Sequence, residues 1–376
     1  MRHNDVAGAT QQLEAARTAD AKAVEPRLLL AAQYLRDRKT READEILREL
    51  TALSENNPPV AVVLGHLYAQ AGRYDEALRQ LRSAAEREPR NASWLIEVAR
   101  VQMARGDAAG TRDSLQKALV IDPDSVTANA LMTGLELKDG KKDQALARVA
   151  RVRKAHPDDA SAALLDGDVS FAQGDFAAAA RAFDDAWRMT PSSGAAIRIY
   201  RARAAGHLPS PTATLSSWLQ KQPRDITARL VLAQSLLEQG SSKEAIIQYE
   251  RVIADGAPGA MALNNLGWLY QQVHDPRAEA TAKRAYELAP DAPEIADTYA
   301  WILVGAGRAA DAVPILERAV GAKTASADTR FHYAAALAKA GRKDDARMAL
   351  RRLLASPGFP RAAEVRQVLT ELGDAP

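Results

Sequence analysis

Apolar residues along the chain recur in short helical patterns that are separated by regular breaks. Between Pro58 and Asn91 they fall every three or four positions, first at Val60, Val63, Leu64, Leu67 and Tyr68, then at Ala77, Leu78, Leu81, Ala84 and Ala85. This spacing places each set on one face of a helix. Gly72 stands between the two sets, and Pro89 follows the second. Glycine readily adopts the left-handed conformation that ends many helices, and proline cannot continue helical hydrogen bonding. The segment therefore predicts two short amphipathic helices joined by a tight turn.

The same pattern returns with a period of 34 residues. It is marked by Gly72, Gly106, Gly140 and Gly174, and by Pro89, Pro123, Pro157 and Pro191. One helical pair leaves apolar surface uncovered on both sides, so neighbouring pairs must stack against it. The period and the stacking predict an all-α solenoid.

One unit carries most of the positions that are typical of tetratricopeptide repeats (TPRs), at Gly65, Tyr68, Gly72, Ala77, Ala84 and Pro89. The chain resembles this family over nearly its whole length. The resemblance implies a right-handed superhelix of about ten repeats, in which first helices line a concave groove and second helices form the outer surface. Gly65 and Ala77 are expected where paired helices cross, because neither has a bulky side chain.

The period also predicts how the chain is divided. We expect the second helix of a truncated repeat over 1–23, repeats one to five over 24–193, an irregular sixth repeat over 194–225, repeats seven to ten over 226–360, and a C-terminal capping helix over 361–376. Ala9 and Ala16 lie in phase with a second helix that has no first helix before it. This predicts that the chain is a fragment of a longer array.

The sixth repeat departs from the period, since Pro191 and Pro223 are 32 residues apart. We expect Ser210 to cap a shortened second helix that has Pro211 at its first position. Two interpretations remain open. The repeat has diverged but still stacks, or it forms a local bend that divides the array into two binding segments.

Composition and charge exclude several classes of function. The 50 Lys and Arg residues are balanced by 48 Asp and Glu, which leaves no bulk charge to attract nucleic acid or anionic lipid. The absence of cysteine excludes disulfides, thiolate metal sites and a cysteine nucleophile. No apolar run is long enough for a membrane span, and the N-terminus lacks the apolar core of a signal peptide. The chain is therefore expected to be cytosolic, or the mature part of an exported protein.

No residue pattern predicts catalysis, a cofactor or a metal site. Residues 305–310 spell a dinucleotide-binding fingerprint, but they follow a predicted helix and coincide with a repeat turn, whereas that fingerprint needs a preceding strand. None of the six histidines lies within four residues of another, so no helical metal pair exists. Adjacent acidic residues such as Asp184 and Asp185 point in different directions on a helix. We therefore expect a protein without enzyme activity, cofactor or metal.

The TPR resemblance implies that positions 2, 5, 9, 12 and 13 of each first helix face the groove. The candidate partner-binding residues at these positions are His66, Arg100, Asp168, Tyr200, Arg203, Gln234, Asn264, Trp268, Gln271, Asp297, Trp301 and Phe331. Trp268 and Trp301 hold the same position in consecutive repeats, so their indoles should be neighbours along the groove. Aromatic anchors are common at interface hot spots. The alternative is that both indoles only pack against adjacent first helices.

The C-terminal third has a narrower resemblance. It rests on Leu263–Tyr270, His274–Ala278, Ala282–Pro290, Asp297–Val304 and Phe331–Gly341. These segments look like TPR lipoproteins that accompany PEP-CTERM/exosortase systems and exopolysaccharide clusters. The resemblance implies a periplasmic or outer-membrane-attached scaffold that serves polysaccharide secretion or surface-protein sorting. Members carry an N-terminal lipidated cysteine that this chain lacks, so a membrane would be reached only through a lipid anchor outside it.

The leading hypothesis is a non-catalytic scaffold that holds an extended segment or a helix of a partner protein in its groove. A second hypothesis is direct polysaccharide binding, in which Trp268, Trp301, Tyr200 and Phe331 stack on sugar rings. A third assigns an enzyme or regulatory domain to a region N-terminal of this chain.

Overall fold

The computed structural model describes residues 6–55, 57–256, 259–356 and 358–374. Over these ranges it contains 22 helices and no strand, and it is 77% helical. The all-α prediction is confirmed. No helix within these ranges is both long and apolar enough to cross a membrane. The first five residues of the predicted N-terminal partial repeat, and the last two of the predicted capping segment, lie outside the described residues.

The helices form two compact units, of which the first is Met1–Thr190. Its described helices are α1 (Val6–Ala19), α2 (Val24–Arg36), α3 (Thr40–Ser54), α4 (Pro58–Gln70), α5 (Tyr74–Arg87), α6 (Ala92–Ala104), α7 (Ala108–Ile121), α8 (Val126–Lys138), α9 (Lys142–Ala155), α10 (Ala160–Ala172) and α11 (Phe176–Met189).

The second unit is Pro191–Pro376. Its described helices are α12 (Ser193–Ala205), α13 (Ala213–Lys221), α14 (Ile226–Glu238), α15 (Ser242–Ala254), α16 (Ala260–Gln272), α17 (Ala278–Leu288), α18 (Pro293–Gly305), α19 (Ala309–Val320), α20 (Ala327–Lys339), α21 (Lys343–Leu354) and α22 (Ala362–Glu371).

The even-numbered helices from α2 to α20 are the first helices of the repeats, and each packs against the second helix that follows it. Small residues allow the two backbones to approach. At Gly65 in α4, an added Cβ would lie 2.8 Å from Leu81 Cγ and 3.3 Å from the Ala77 carbonyl oxygen on α5. Since a Cβ cannot come so close without displacing a neighbour, Gly65 lies at the helix crossing, as the sequence predicts.

The turn after each first helix requires a left-handed residue. At Gly72 (φ 75°), the next amide, Arg73 N, donates to the Tyr68 carbonyl at 2.9 Å. Three non-glycine residues, Arg38, His207 and His274, take the same place with φ between 50° and 57°. After His274, for example, Asp275 N donates to the Tyr270 carbonyl at 2.8 Å. The turn is therefore imposed by the stacking of the helices even where its residue is unfavourable.

The predicted cap of the sixth repeat is wrong. Helix α13 has nine residues and begins at Ala213, with Thr212 at its N-cap and no side-chain capping bond. Ser210 is left-handed, with φ 53°, and its carbonyl accepts from Ala213 N at 3.2 Å. Ser210 and Pro211 therefore belong to the turn before the helix. The sequence showed the shortened helix but not where it starts, because the turn uses a strained serine instead of a glycine.

Within each unit, most first helices of adjacent repeats pack against one another, although α6 and α8, and likewise α14 and α16, do so less closely. In the first unit α2 contacts α4 and α8 contacts α10, and in the second α12 contacts α14, α16 contacts α18 and α18 contacts α20. Consecutive second helices in the described ranges do not pack as closely. The side with the closer helices is the inner side of a curved stack, so we call the exposed face of the first helices of a unit its first-helix wall.

Candidate functional site

In the first unit, three candidate residues lie at exposed positions of the first-helix wall. They are His66 on α4, Arg100 on α6 and Asp168 on α10. Glu97 joins the first two, because its carboxylate oxygens lie 2.9 Å from His66 Nε2 and 3.4 Å from Arg100 Nε. Glu97 thus links His66 of one repeat to Arg100 of the next on the wall of the first unit.

In the second unit, α12, α14 and α16 enclose a mainly apolar cavity of about 580 Å³. We call it the apolar cavity. Its lining includes Tyr200, Ile226, Leu230 and Met261, and the Met261 side chain is half exposed. The candidate Tyr200 therefore lines a concave, apolar part of the wall, where a partner's aliphatic side chain could be buried.

A hydrogen-bonded group forms one side of the apolar cavity. The Tyr249 hydroxyl donates to Gln234 Oε1 at 3.1 Å and accepts from Asn265 Nδ2 at 3.0 Å. Asn265 Nδ2 also lies 3.1 Å from Gln234 Oε1. Burial raises the pKa of Tyr249, so its hydroxyl stays protonated over a wider pH range. Candidate Gln234 is therefore held in place by its neighbours.

A second cavity, of about 370 Å³, lies between α16, α18 and the N-terminal part of α20. We call it the acidic cavity. Trp268 and Trp301 both line it, together with the candidates Gln271 and Asp297. Trp268 is 41% exposed. The two indoles thus border one concave site, which is the arrangement that their shared repeat position predicts.

Trp301 is fixed by a stack and a chain of polar contacts. Its ring lies 4.0 Å from that of His332, with 14° between the planes. His332 Nδ1 is 2.9 Å from Asp297 Oδ1, and its Nε2 is 3.2 Å from an Arg361 nitrogen. The His332 ring therefore lies between an acidic and a basic side chain, which orient it against Trp301.

Asn264 is a buried polar residue in the wall of the acidic cavity. It is 8% exposed, and its Oδ1 has no hydrogen-bond partner among the described residues. Its Nδ2 donates to Asn265 Oδ1 at 3.4 Å. A buried acceptor without a donor is costly. Asn264 therefore offers an acceptor that a bound group could use.

Two candidates, Asn264 and Phe331, are buried instead of exposed as predicted. Phe331 is only 5% exposed and belongs to the core of the last repeat, where it packs with Leu350 and Val365. The prediction that Phe331 faces a partner is wrong, because α22 and Arg361, 4.0 Å from the ring centre, cover it. Arg203 donates to the Pro209 carbonyl at 3.4 Å and so contacts the turn of its own repeat.

Several residues of the two cavities, among them Met261, Glu294 and His332, were not among the sequence candidates. Met261 and Glu294 hold position 2 of their first helices, so the positional rule could have found them. His332 holds position 6, which that rule does not include. Only its contacts with Trp301 and Asp297 reveal it. Throughout the described ranges, no group of three or more His, Asp or Glu side chains is arranged to hold a metal ion.

Stacked helical hairpins with a cavity-bearing inner wall define the chain as a helical-repeat protein. One tetratricopeptide repeat model matches residues 62–126, 135–211 and 230–293, and a second such model matches 102–166 and 303–369. The chain belongs to the tetratricopeptide repeat family. Repeats of this family generally mediate protein–protein interaction.

One similar solved structure is the crystal structure of a tetratricopeptide repeat protein from Parabacteroides merdae ATCC 43184. It is 17% identical in sequence, with a TM-score of 0.45, and the match covers 64% of this chain and 97% of that one. No curated protein matches this sequence.

Proposed function

We propose that the chain is a non-catalytic scaffold that binds an extended segment of a partner protein along the first-helix wall of its second unit. The observation that carries this proposal is the pair of cavities on the two sides of α16. Met261 and Asn265 border the apolar cavity, while Trp268 and Gln272 border the acidic cavity. Their spacing of four, three and four residues places them in one stripe along α16. Both cavities therefore open beside a single ridge.

An extended chain fits this ridge better than a globular surface does. Successive side chains of an extended segment point to opposite sides, so one can enter each cavity as the backbone crosses α16. The cavities, of about 580 and 370 Å³, fall in the range of about 300–1,000 Å³ that is usual for ligand sites. The walls are held by packed helices, which reduces the entropy lost on binding.

Peptide selection tests this proposal directly. A random library of displayed 12-residue peptides is selected on the full chain, and recovered peptides are measured by fluorescence polarisation. We expect Trp268→Ala and Met261→Ala each to weaken binding about tenfold or more, which corresponds to the loss of one anchor residue. The matched control is Met348→Ala, because Met348 is equally exposed but lies on second helix α21. Peptides that bind Trp268→Ala and Met261→Ala as tightly as the unchanged chain would refute the proposal.

Direct polysaccharide binding is less well supported. It needs a continuous row of open aromatic rings, yet Phe331 is buried and one face of Trp301 is covered by His332. Trp268 alone presents a largely free indole in the acidic cavity. Titration of the chain with exopolysaccharide fragments, followed by tryptophan fluorescence, should show no saturable change. A saturable change that Trp268→Ala abolishes would favour this function instead.

For the cellular role, we propose a scaffold in exopolysaccharide secretion or PEP-CTERM surface-protein sorting, located in the periplasm or attached to the outer membrane by a lipid. The support is the likeness of 263–341 to the lipoproteins of such systems. Fractionation of the producing bacterium with an antibody against the chain tests the location. We expect signal in the periplasmic or outer-membrane fraction, and signal confined to the cytosol would contradict it.

A further inference from the structure

The lining of the acidic cavity is rich in hydrogen-bond acceptors and poor in positive charge. Glu294, Asp297 and Asp328 contribute carboxylates, and no lysine or arginine is among the lining residues. Two cations lie beside this cavity: Arg361 is 3.1 Å from Asp328, and Lys339 Nζ is 6.0 Å from the centre of the Trp301 ring. Asp297 Oδ1 lies 2.9 Å from His332 Nδ1, and no lysine or arginine among the described residues pairs with the Asp297 carboxylate. The cavity therefore presents excess negative charge to a ligand.

A second and independent observation is the unpaired oxygen of Asn264. This side chain is more than nine-tenths buried, lines the cavity and has an acceptor without a donor. A carboxylate or carbonyl ligand would bring a second acceptor and leave Asn264 Oδ1 unpaired. A ligand with N–H groups would satisfy it. The unpaired acceptor of Asn264 and the acidic lining therefore both favour a ligand that donates hydrogen bonds and carries positive charge.

The third observation is the exposed indole of Trp268. Its ring borders the same cavity and is 41% exposed. A cation within about 6 Å of an indole centre is attracted by the negative face of the ring, and guanidinium groups also stack on it. The stack of Trp301 on His332 leaves Trp268 as the accessible aromatic surface of this cavity.

We infer that the acidic cavity binds a basic side chain, arginine in preference to lysine, of the partner segment. The inference rests on the proposed function and specifies the chemistry of the partner side chain that enters this cavity. A guanidinium group has five donors in one plane, so it can bond to Asn264 Oδ1 and the Asp297 carboxylate while it lies against Trp268. Lysine has three donors around a point charge and no plane to stack. The neighbouring apolar cavity takes an aliphatic side chain of the same segment.

The test uses labelled synthetic peptides with acetylated and amidated ends, so that no terminal charge contributes. Each contains one leucine and one residue X separated by one, two or three serines between glycine–serine flanks, where X is arginine, citrulline, lysine or glutamate. Citrulline has nearly the shape of arginine without its charge. In fluorescence polarisation with the full chain, we expect at least one arginine peptide to bind at least tenfold more tightly than its citrulline and glutamate counterparts, and more tightly than its lysine counterpart. The preference should weaken with added salt.

Isosteric variants test whether the preference for arginine peptides arises in the acidic cavity. The double variant Glu294→Gln with Asp297→Asn should abolish that preference. The side-chain amide oxygen that this variant places at position 297 can still accept from His332 Nδ1, which preserves the local structure. The matched control is Glu287→Gln, because Glu287 is exposed on second helix α17. It should leave the preference unchanged. Circular dichroism of each variant checks that the fold is retained.

The other possible outcomes distinguish a failure of this inference from a failure of the proposed function. If citrulline peptides bind as tightly as arginine peptides and Trp268→Ala weakens both, the proposed binding of a partner segment is supported. The inference that the acidic cavity prefers a basic side chain is then refuted. If the arginine preference survives the Glu294 and Asp297 double variant, it arises elsewhere and the inference is wrong. If no peptide of this set binds and library selection also recovers none, the proposed function fails as well.

Discussion

Gly167 in α10 is required by the ring of Phe183 in α11. A Cβ at residue 167 would lie 2.3 Å from Phe183 Cε1 and 2.4 Å from Cδ1. Carbon atoms in contact prefer about 3.5–4.0 Å, so the ring or one helix would have to move by more than about 1 Å. Phe183 is 1% exposed and is enclosed by its neighbours, so its ring cannot simply turn aside. We therefore expect Gly167→Ala to separate α10 from α11.

The size of the effect follows from two opposing terms. Overpacking a core costs about 1–3 kcal/mol, while alanine in place of a mid-helix glycine gains about 0.5–1 kcal/mol. The difference spans about 0–2.5 kcal/mol, and the close approach of the Phe183 ring places the expected net loss in the free energy of unfolding in the upper half of that range. Gly134 in α8 is the matched control, since an added Cβ there meets no atom within 4 Å. Gly134→Ala should stabilise the chain by about 0.5–1 kcal/mol.

Urea unfolding followed by circular dichroism gives the overall effect, and hydrogen exchange of α10 and α11 assigns it to this helix pair. A double-mutant cycle then tests the cause. In a Phe183→Ala background the ring is gone, so Gly167→Ala should be neutral or stabilising. The reasoning is refuted if Gly167→Ala is as stable as the unchanged chain. It is also refuted if the cost is the same with and without the Phe183 ring.

Three further predictions concern stability. His274→Gly should raise the thermal unfolding midpoint by relieving a left-handed φ of 57°, a gain of about 1 kcal/mol. Pro314→Ala should stabilise α19 by up to about 3 kcal/mol, because proline inside a helix removes a hydrogen bond, and urea unfolding measures the gain. Burial alone would raise the pKa of Glu49, but hydrogen bonds from Arg17 and Arg27 outweigh it and lower that pKa. The stabilisation from Glu49 should therefore be present above the normal glutamate pKa of about 4.3 and be lost as the pH falls through the lower folded value. Glu49→Gln should destabilise the first unit at pH 7, and its midpoint should approach that of the unchanged chain in acid.

Controls for these three predictions come from similar sites. His156→Gly, at φ −126°, should bring no gain, because no strain is relieved there. Val120→Ala, at an exposed position of α7, should change stability much less than Pro314→Ala. A pH profile of Glu49→Gln parallel to that of the unchanged chain would contradict the assigned role of Glu49. A loss of stability in His274→Gly would contradict the strain at that turn.

Part of the candidate site could be predicted from the sequence. Position 9 of a first helix lies on the exposed wall, as Trp268 and Gln234 show, because helical phase sets the direction of a side chain. Position 5 was less predictable. Asn264 and Phe331 are both buried there, since this position points toward the neighbouring repeat, and the size of the neighbour decides its exposure. For Phe331 that neighbour is α22, whose Val365 belongs to the same buried cluster.

The amino-acid sequence alone determined the helical class, the 34-residue period and most of the places where one helix ends and the next begins, the start of α13 being the exception. These features depend on interactions within one turn or one hairpin, where the spacing of apolar residues, glycine and proline is sufficient. Tertiary structure alone decided that His332 lies between Asp297 and Arg361, that Asn264 keeps an unpaired oxygen, and that two cavities flank α16. Those properties arise between repeats, from groups that are distant in the chain and meet only when the hairpins stack.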